Sequence, residues 1–416
     1  MGRVFQRFSL KSMKAALIIA VFAGALTVGV GCGGGSNDES DGGGGSGDTV
    51  VFGIQTHETG ALAAVGLDKI YGVEAGVDIA TNGTNEVEGK KIEFVVADDG
   101  SDPGASPQVA RQQLQQDDPD IVFGFDSSSS AVATAPIIAD AGIPSIFSIA
   151  ASDELTGFSE WVFRTSRNAT QEAQMGATVA EIDEGETYMI LAPDYAYGQS
   201  AAEAWDKLLT EQGGKALEAP LYAPLEGKDY TSVVERVRNA DPDMLVVVTF
   251  ASASGPLLWQ TINNAGIADG TEIVTLLPQA PVREAMGQIA RKIRYFAIYD
   301  PALPDNKLND EFVKKFTELS GGTPPDIYAG DSGVAGMMAV KAIQETGGDT
   351  SPEALADALS GLEAEALKGP YKVRPEDHTF LQTFYESGLN PDLTAKRIKE
   401  FSLEDSVIPV EQPIED

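Results

Sequence analysis

Ile121-Val122-Phe123-Gly124-Phe125 runs directly into Asp126-Ser127-Ser128-Ser129-Ser130, and a helical stretch follows from about Ala131 to Ala141. An uncharged run rich in β-branched and aromatic residues reads as a strand buried on both faces. The short polar residues after it read as the start of a helix. Strand, tight polar turn and returning helix make half of a βαβ unit. The serine run has two possible uses at that place. Hydroxyls and unpaired N–H groups at a helix N-terminus make a seat for a carboxylate. Serine is also a common N-cap, for which a single residue suffices.

The same alternation extends both ways. Strand-like runs at 49–54 and 91–96 precede helical stretches at about 66–80 and 105–116, and 144–149 is a further strand. The pattern restarts at 187–191, 216–221, 244–248 and 273–277, with helices near 200–212, 230–239, 255–265 and 282–290. After 295–299 the chain turns mostly helical, at 309–319, 327–345 and 352–359, and closes with hairpin-like runs at 368–374 and 379–385. Such alternation predicts parallel sheets in an α/β fold. The restart after Arg164 and the helical return after Tyr299 predict two lobes, one of 49–165 with 299–368 and one of 169–297 with 371–385. Residues 386–416 show no clear pattern and read as a C-terminal tail.

The N-terminus has a different character. Arg3, Arg7, Lys11 and Lys14 precede an apolar stretch, Ala15 to Val30, and the single cysteine of the chain, Cys32, follows. Residues 1–31 have the layout of an export signal. Residues 32–48 are almost entirely Gly, Ser, Asp and Asn and read as a flexible linker. A lone thiol at that junction fits lipidation, which would tether the folded body to a membrane. An ordinary cleaved signal or an uncleaved anchor is the alternative.

One cysteine excludes internal disulfides and Cys-based metal sites, and the two histidines, His57 and His378, show no metal-ligand spacing. The expectation is no metal and no cofactor. The formal charge of −34 excludes nucleic acid as a partner, which needs basic patches. The acids are scattered through a sequence of ordinary apolar content, so they read as a solvated surface, suited to high salt or to an acidic extracellular protein. Neither a phosphate-binding glycine loop nor a nucleophile elbow occurs. His57 beside Glu58 reads as surface polarity, because no catalytic partner set accompanies it.

Ligands of open parallel sheets bind beyond the carboxyl ends of the strands. Here those segments are 55–60, 97–100, 126–130, 150–152, 192–198, 250–255 and 278–280, mostly small, hydroxylated or aromatic. They suit capture of a small polar solute better than proton transfer. Tyr195 and Tyr197 could pack on a ligand or on their own helix.

Taken in order, several of these segments resemble the periplasmic leucine/isoleucine/valine-binding family, the type I solute receptors of ABC importers. They are Thr59 to Gly66, Asp98 to Pro103, the serine run, Ala150 to Thr156, Phe163-Arg164-Thr165, Asp194 to Gly198 and Gly369-Pro370, and the resemblance spans about Val50 to Tyr385. It implies two Rossmann-like lobes joined by a three-segment hinge, a small-molecule ligand between them, and importer permease subunits as partners. It implies a binding protein, not an enzyme; a sensor of the same fold with a separate signalling partner is the alternative. Ser128 matches the serine that binds a ligand carboxylate. Ala150 and Ala151 fall where backbone and a Thr hydroxyl complete the grip, with Ser152 adjacent. Tyr197 matches a cleft tyrosine, and Val65 and Phe250 complete the expected contact set. Gln279 stands where an acid normally binds an ammonium. A neutral amide there disfavours a buried ammonium, so an amide, a short carboxylate or an aromatic acid fits better than an amino acid. Should another acid hold the ammonium, Glu58 and Asp194 are the candidates.

Overall fold

The computed structural model describes residues 49–414. The signal at 1–31, the linker at 32–48 and Cys32 lie outside the described residues. The first sheet contains β1 (Thr49–Thr56), β2 (Glu86–Val87), β3 (Lys90–Asp98), β4 (Ile121–Phe123), β5 (Ser145–Phe147) and β6 (Val162–Arg164). Their order is β2-β3-β1-β4-β5-β6, and every pairing is parallel except β2 with β3. The chain leaves β1 toward β3 on one side and later returns to β4 on the other. The reversal opens a crevice beyond the carboxyl end of β1.

Helices α1 (Ala63–Ala80), α2 (Ser106–Asp117) and α3 (Ser128–Asp140) connect these strands. Val50, Phe52 and Ile54 on β1 share a buried core with Val73 and Val77 of α1. Val122 of β4 packs the opposite way, with Ala131, Ala135 and Ile138 of α3. Period-2 alternation thus serves a helix layer on each face.

The second sheet begins after α4 (Ala169–Ala180) with β7 (Thr187–Pro193), β8 (Lys215–Ala216), β9 (Leu221–Ala223), β10 (Met244–Val247), β11 (Glu272–Leu276) and β12 (Arg294–Ala297). Its helices are α5 (Ala196–Glu211), α6 (Thr231–Ala240), α7 (Gly255–Asn264) and α8 (Ala280–Met286). β7 is flanked by β10 on one side and by β8 and β9 on the other, so a second reversal sits at its carboxyl end.

The chain then returns to the first core through α9 (Lys307–Leu319), α10 (Ile327–Glu345) and α11 (Pro352–Leu359). Helix α10 packs on α1 through glycines. A Cβ at Gly76 would stand 2.1 Å from the Gly333 carbonyl oxygen, and one at Gly336 would stand 2.5 Å from that of Val73.

The C-terminal region departs from the sequence expectation. β13 (Glu363–Ala366), β14 (Gly369–Val373) and β15 (Phe380–Gln382) form their own antiparallel sheet, and Tyr371, Val373 and Phe380 join the first core. Only β16 (Phe384–Leu389) enters the second sheet, followed by β17 (Ala395–Phe401) at its edge. The second lobe therefore gains its strands after residue 382, not from 371, and the supposed tail holds an ordered strand. The tail reading failed because only Ala395 and Phe401 of β17 are buried, while Lys396, Arg397, Ile398, Lys399 and Glu400 face solvent. Charges protect an edge strand from further pairing and erase its apolar pattern. Helix α4 was also not anticipated. Ala169, Gln171, Glu172, Ala173, Met175, Gly176, Ala177, Val179 and Ala180 are buried, so burial runs nearly all round the helix and leaves no amphipathic stripe. Within the described residues the chain passes between the two lobes three times: from β6 to α4, from β12 to α9 and from β15 to β16.

Candidate functional site

The two sheet reversals face each other. From the first come Val65, Asp126, Ser127, Ser128, Ile149 and Ala151; from the second come Tyr195, Tyr197 and Ala251; Arg167 stands at the first crossover and Tyr328 in the first turn of α10. The cavity among them is small, about 30 Å³. Its rims already touch, with the Ala196 N–H donating to Ser129 Oγ at 3.4 Å.

Ser128 is set up as a donor. Its Oγ accepts the Ala151 N–H at 3.0 Å and the Ser152 N–H at 3.1 Å. A hydroxyl with both lone pairs engaged has its proton left to offer. It lies in the first turn of α3, where backbone N–H groups have no partner within the helix.

A buried polar framework holds that turn. Lys69 of α1 donates to the Gln55 carbonyl at 2.8 Å and to the Gly124 carbonyl, and pairs with Asp126 at 3.0 Å. Asp126 also accepts from Thr56 Oγ1 at 2.8 Å. Burial draws the Lys69 pKa down, and Asp126 opposes it. His57 is fully buried, stacked on Phe125. This corrects its reading as surface polarity. Nε2 accepts the Ser127 N–H at 3.0 Å, so Nδ1 carries the proton and donates to Asp99. The other Asp99 oxygen accepts from Ser106 at 2.6 Å and from Ser130 at 3.0 Å. The set contains Ser, His and Asp, but the ring nitrogen that a general base needs is held by backbone.

The expected contacts divide. Ser128, Ala151, Val65 and Tyr197 line the cavity. Ala150 and Ser152 do not. The Ala150 carbonyl accepts from Arg164 Nη2 and Ser166 Oγ, both at 2.8 Å. The Ser152 hydroxyl caps a short 3₁₀ turn at Asp153–Leu155. Arg164 is buried under this loop, and burial, opposed by Asp153, takes its pKa down to about 10.

Phe250 and Gln279 line a neighbouring hollow with Trp259, Leu277 and Ile327. The Gln279 amide donates across to Asp326, the N-cap of α10. Asp326 also accepts the Tyr328 N–H at 2.9 Å and the Ala329 N–H at 3.3 Å. Glu58 and Asp194, the candidate replacement acids, are exposed and line neither hollow.

Beyond Gln279 a groove of about 710 Å³ runs past Asp68, Tyr71 and Asp326. Burial and the adjacent Asp326 push Asp68 up to about 9. Its folded pKa lies above the unfolded value, so the native state holds the extra proton and loses stability as pH rises from about 4 to about 9. Asp68→Asn is expected to stabilise the protein by about 1–2 kcal/mol at pH 8, with no gain near pH 4. Urea titrations at several pH values measure this, and a pH-independent difference contradicts it.

Arg167 and Glu172 escaped the sequence reading. Arg167 is buried; its Nε meets Glu172 at 2.9 Å and its Nη2 at 2.6 Å. The Tyr197 hydroxyl donates to both Glu172 oxygens, at 2.7 and 2.9 Å, and the guanidinium lies 5.4 Å from the Tyr197 ring centre. Burial alone draws the Arg167 pKa down, but Glu172 more than offsets it, so the net shift is upward. The only local signal was a basic residue among Ser, Asn and Thr in a chain of strongly negative charge.

Comparison with known proteins agrees with this architecture. A Brucella abortus (strain 2308) Leu/Ile/Val-binding protein homolog 6 is 26% identical over 323 residues, covering 75% of this chain and 81% of the relative. The crystal structure of an ABC-type branched-chain amino acid transporter from Rhodopseudomonas palustris CGA009 aligns with a TM-score of 0.72 at 27% identity, covering 87% of this chain and 99% of that one. A solute binding protein from R. palustris BisB5, solved with 3,4-dihydroxy benzoic acid, has the same fold, with a TM-score of 0.76 at 24% identity, covering 86% of this chain and 98% of that one. The family description "periplasmic binding protein" matches residues 49–390. The chain therefore belongs to the type I periplasmic binding proteins of the leucine/isoleucine/valine-binding family.

Proposed function

We propose that this protein is an extracytoplasmic receptor for a small carboxylate without a cationic amine, which it delivers to the permease subunits of an ABC importer. One observation carries the reading. Ser128 Oγ is saturated as an acceptor and has only a proton to give, at a helix N-terminus in the cleft between two lobes. Such a group favours an anionic oxygen. At the other end, Gln279 brings no charge, and the Asp326 beside it is engaged by Gln279, Tyr328 and Ala329. An ammonium there would have to displace those donors, which is costly in a buried site. Relatives of the same fold carry benzoate and 4-hydroxybenzoate, so benzoates are the first probes. A cavity of about 30 Å³ has room for about one water, so binding requires the lobes to part and reclose.

Isothermal titration calorimetry tests the ligand class. Benzoate or 4-hydroxybenzoate is expected to bind, and leucine weakly or not at all. Ser128→Ala is expected to weaken carboxylate binding by about 1–3 kcal/mol with the fold intact. Micromolar binding of leucine by the unaltered protein would return the ordinary amino-acid assignment.

Lipid on Cys32 belongs to the same reading, since a tethered receptor stays near its permease. The membrane fraction should yield a mature N-terminus at Cys32 carrying acyl chains, detectable by mass spectrometry. An unmodified N-terminus elsewhere would leave export without the anchor.

A further inference from the structure

The cavity that holds Ser128 also holds a cation. Arg167 lines it, and its side chain is only 4% exposed. Nε and Nη2 are engaged by Glu172 and Tyr197, whereas among the described residues Nη1 meets no hydrogen-bond partner. Guanidinium offers five donors in a fixed plane, so the Glu172 contact leaves the Nη1 edge for another anion. Asp126, an acid that also lines the cavity, is already paired with Lys69. The side chains of Tyr195, Tyr197 and Tyr328 bring no charge to the cavity wall.

We propose that Arg167 is a specificity-determining residue: its Nη1 edge binds the ligand carboxylate opposite Ser128, and Glu172 is the internal carboxylate against which the ligand competes. This rests on the reading of the cleft as a carboxylate site. Glu172, itself held by the Tyr197 hydroxyl, fixes the orientation of the guanidinium. Both groups also share its charge, so they set how strongly an incoming anion is held. Removing the counter-charge should tighten anion binding, and removing the guanidinium should abolish the preference for anions over neutral isosteres.

The test compares matched carboxylate and amide probes by calorimetry: benzoate with benzamide, 4-hydroxybenzoate with its amide, and isovalerate with isovaleramide. The unaltered protein should favour at least one acid over its amide by tenfold or more. Glu172→Gln should tighten that acid about tenfold and leave the amide nearly unchanged. Arg167→Lys should retain part of the preference, and Arg167→Met should lose it. Arg167→Met leaves Glu172 buried without a cation and can fail to fold. Arg167→Met combined with Glu172→Met removes both charges and serves in its place, its fold checked by circular dichroism. A merely structural role for Arg167 would lower acid and amide affinity together and leave their ratio unmoved. A ratio unchanged in the double variant and in Glu172→Gln overturns the role of Arg167 while the carboxylate reading stands. Failure of every acid to bind better than its amide in the unaltered protein overturns both.

Discussion

Lys69→Met is expected to destabilise the protein by about 3–5 kcal/mol, the usual consequence of removing one member of a buried ion pair. Lys69 is 0% exposed, and its ammonium serves Asp126 and the Gln55 and Gly124 carbonyls together. Methionine fills the space of the stem but leaves a buried carboxylate and two carbonyls without their donor. The loss should reach the ligand, because Asp126 leads directly into Ser127 and Ser128. Adding Asp126→Asn removes the stranded charge while keeping an acceptor for Thr56, and should restore at least about 1–2 kcal/mol. Urea denaturation of the two variants measures both steps. A single-variant loss below about 1 kcal/mol would mean that the pair is dispensable to the fold.

Gly76→Ala is expected to lose about 2–4 kcal/mol, although alanine is the better helix former by about 1 kcal/mol. The new Cβ would lie 2.1 Å from the Gly333 carbonyl oxygen, inside any van der Waals contact. The obstacle is backbone of a facing helix, not the end of a flexible side chain. Helices α1 and α10 would have to separate, drawing Val73, Val77, Val334 and Met338 out of register in one core. A thermal melt reports the effect, and an unchanged or raised midpoint would show that the helix pair slides freely. The effect on function follows from position. Helix α1 carries Val65 and Lys69, and α10 begins beside Asp326 and Tyr328.

Much of the strand and helix order was legible because its signals are local. Short apolar and β-branched runs flanked by turn residues mark β1, β3, β7 and β10, and helix-forming stretches with end signals mark α2, α9 and α10. Where local signals fade, the reading faded with them. The solvent-facing β17 has no apolar alternation, and α4 is buried on nearly every side. Ser128 was legible for the same reason as the strands, since a polar run after an uncharged strand marks the end of a parallel strand.

By itself, then, the sequence determined the α/β alternation, the restart into a second lobe, the serine turn and the neutral residue at 279. Each depends on neighbours in the chain. Only the tertiary structure decided the electrostatics of the cleft. Lys69 meets Asp126, 57 positions away; His57 meets Asp99; Gln279 meets Asp326; and Arg167 turns from its crossover toward Ser128's cavity. A charge in water says little about where it will be buried. Its partners, and the donors left over for a ligand, exist only once the two sheets bring distant turns together in a dry space.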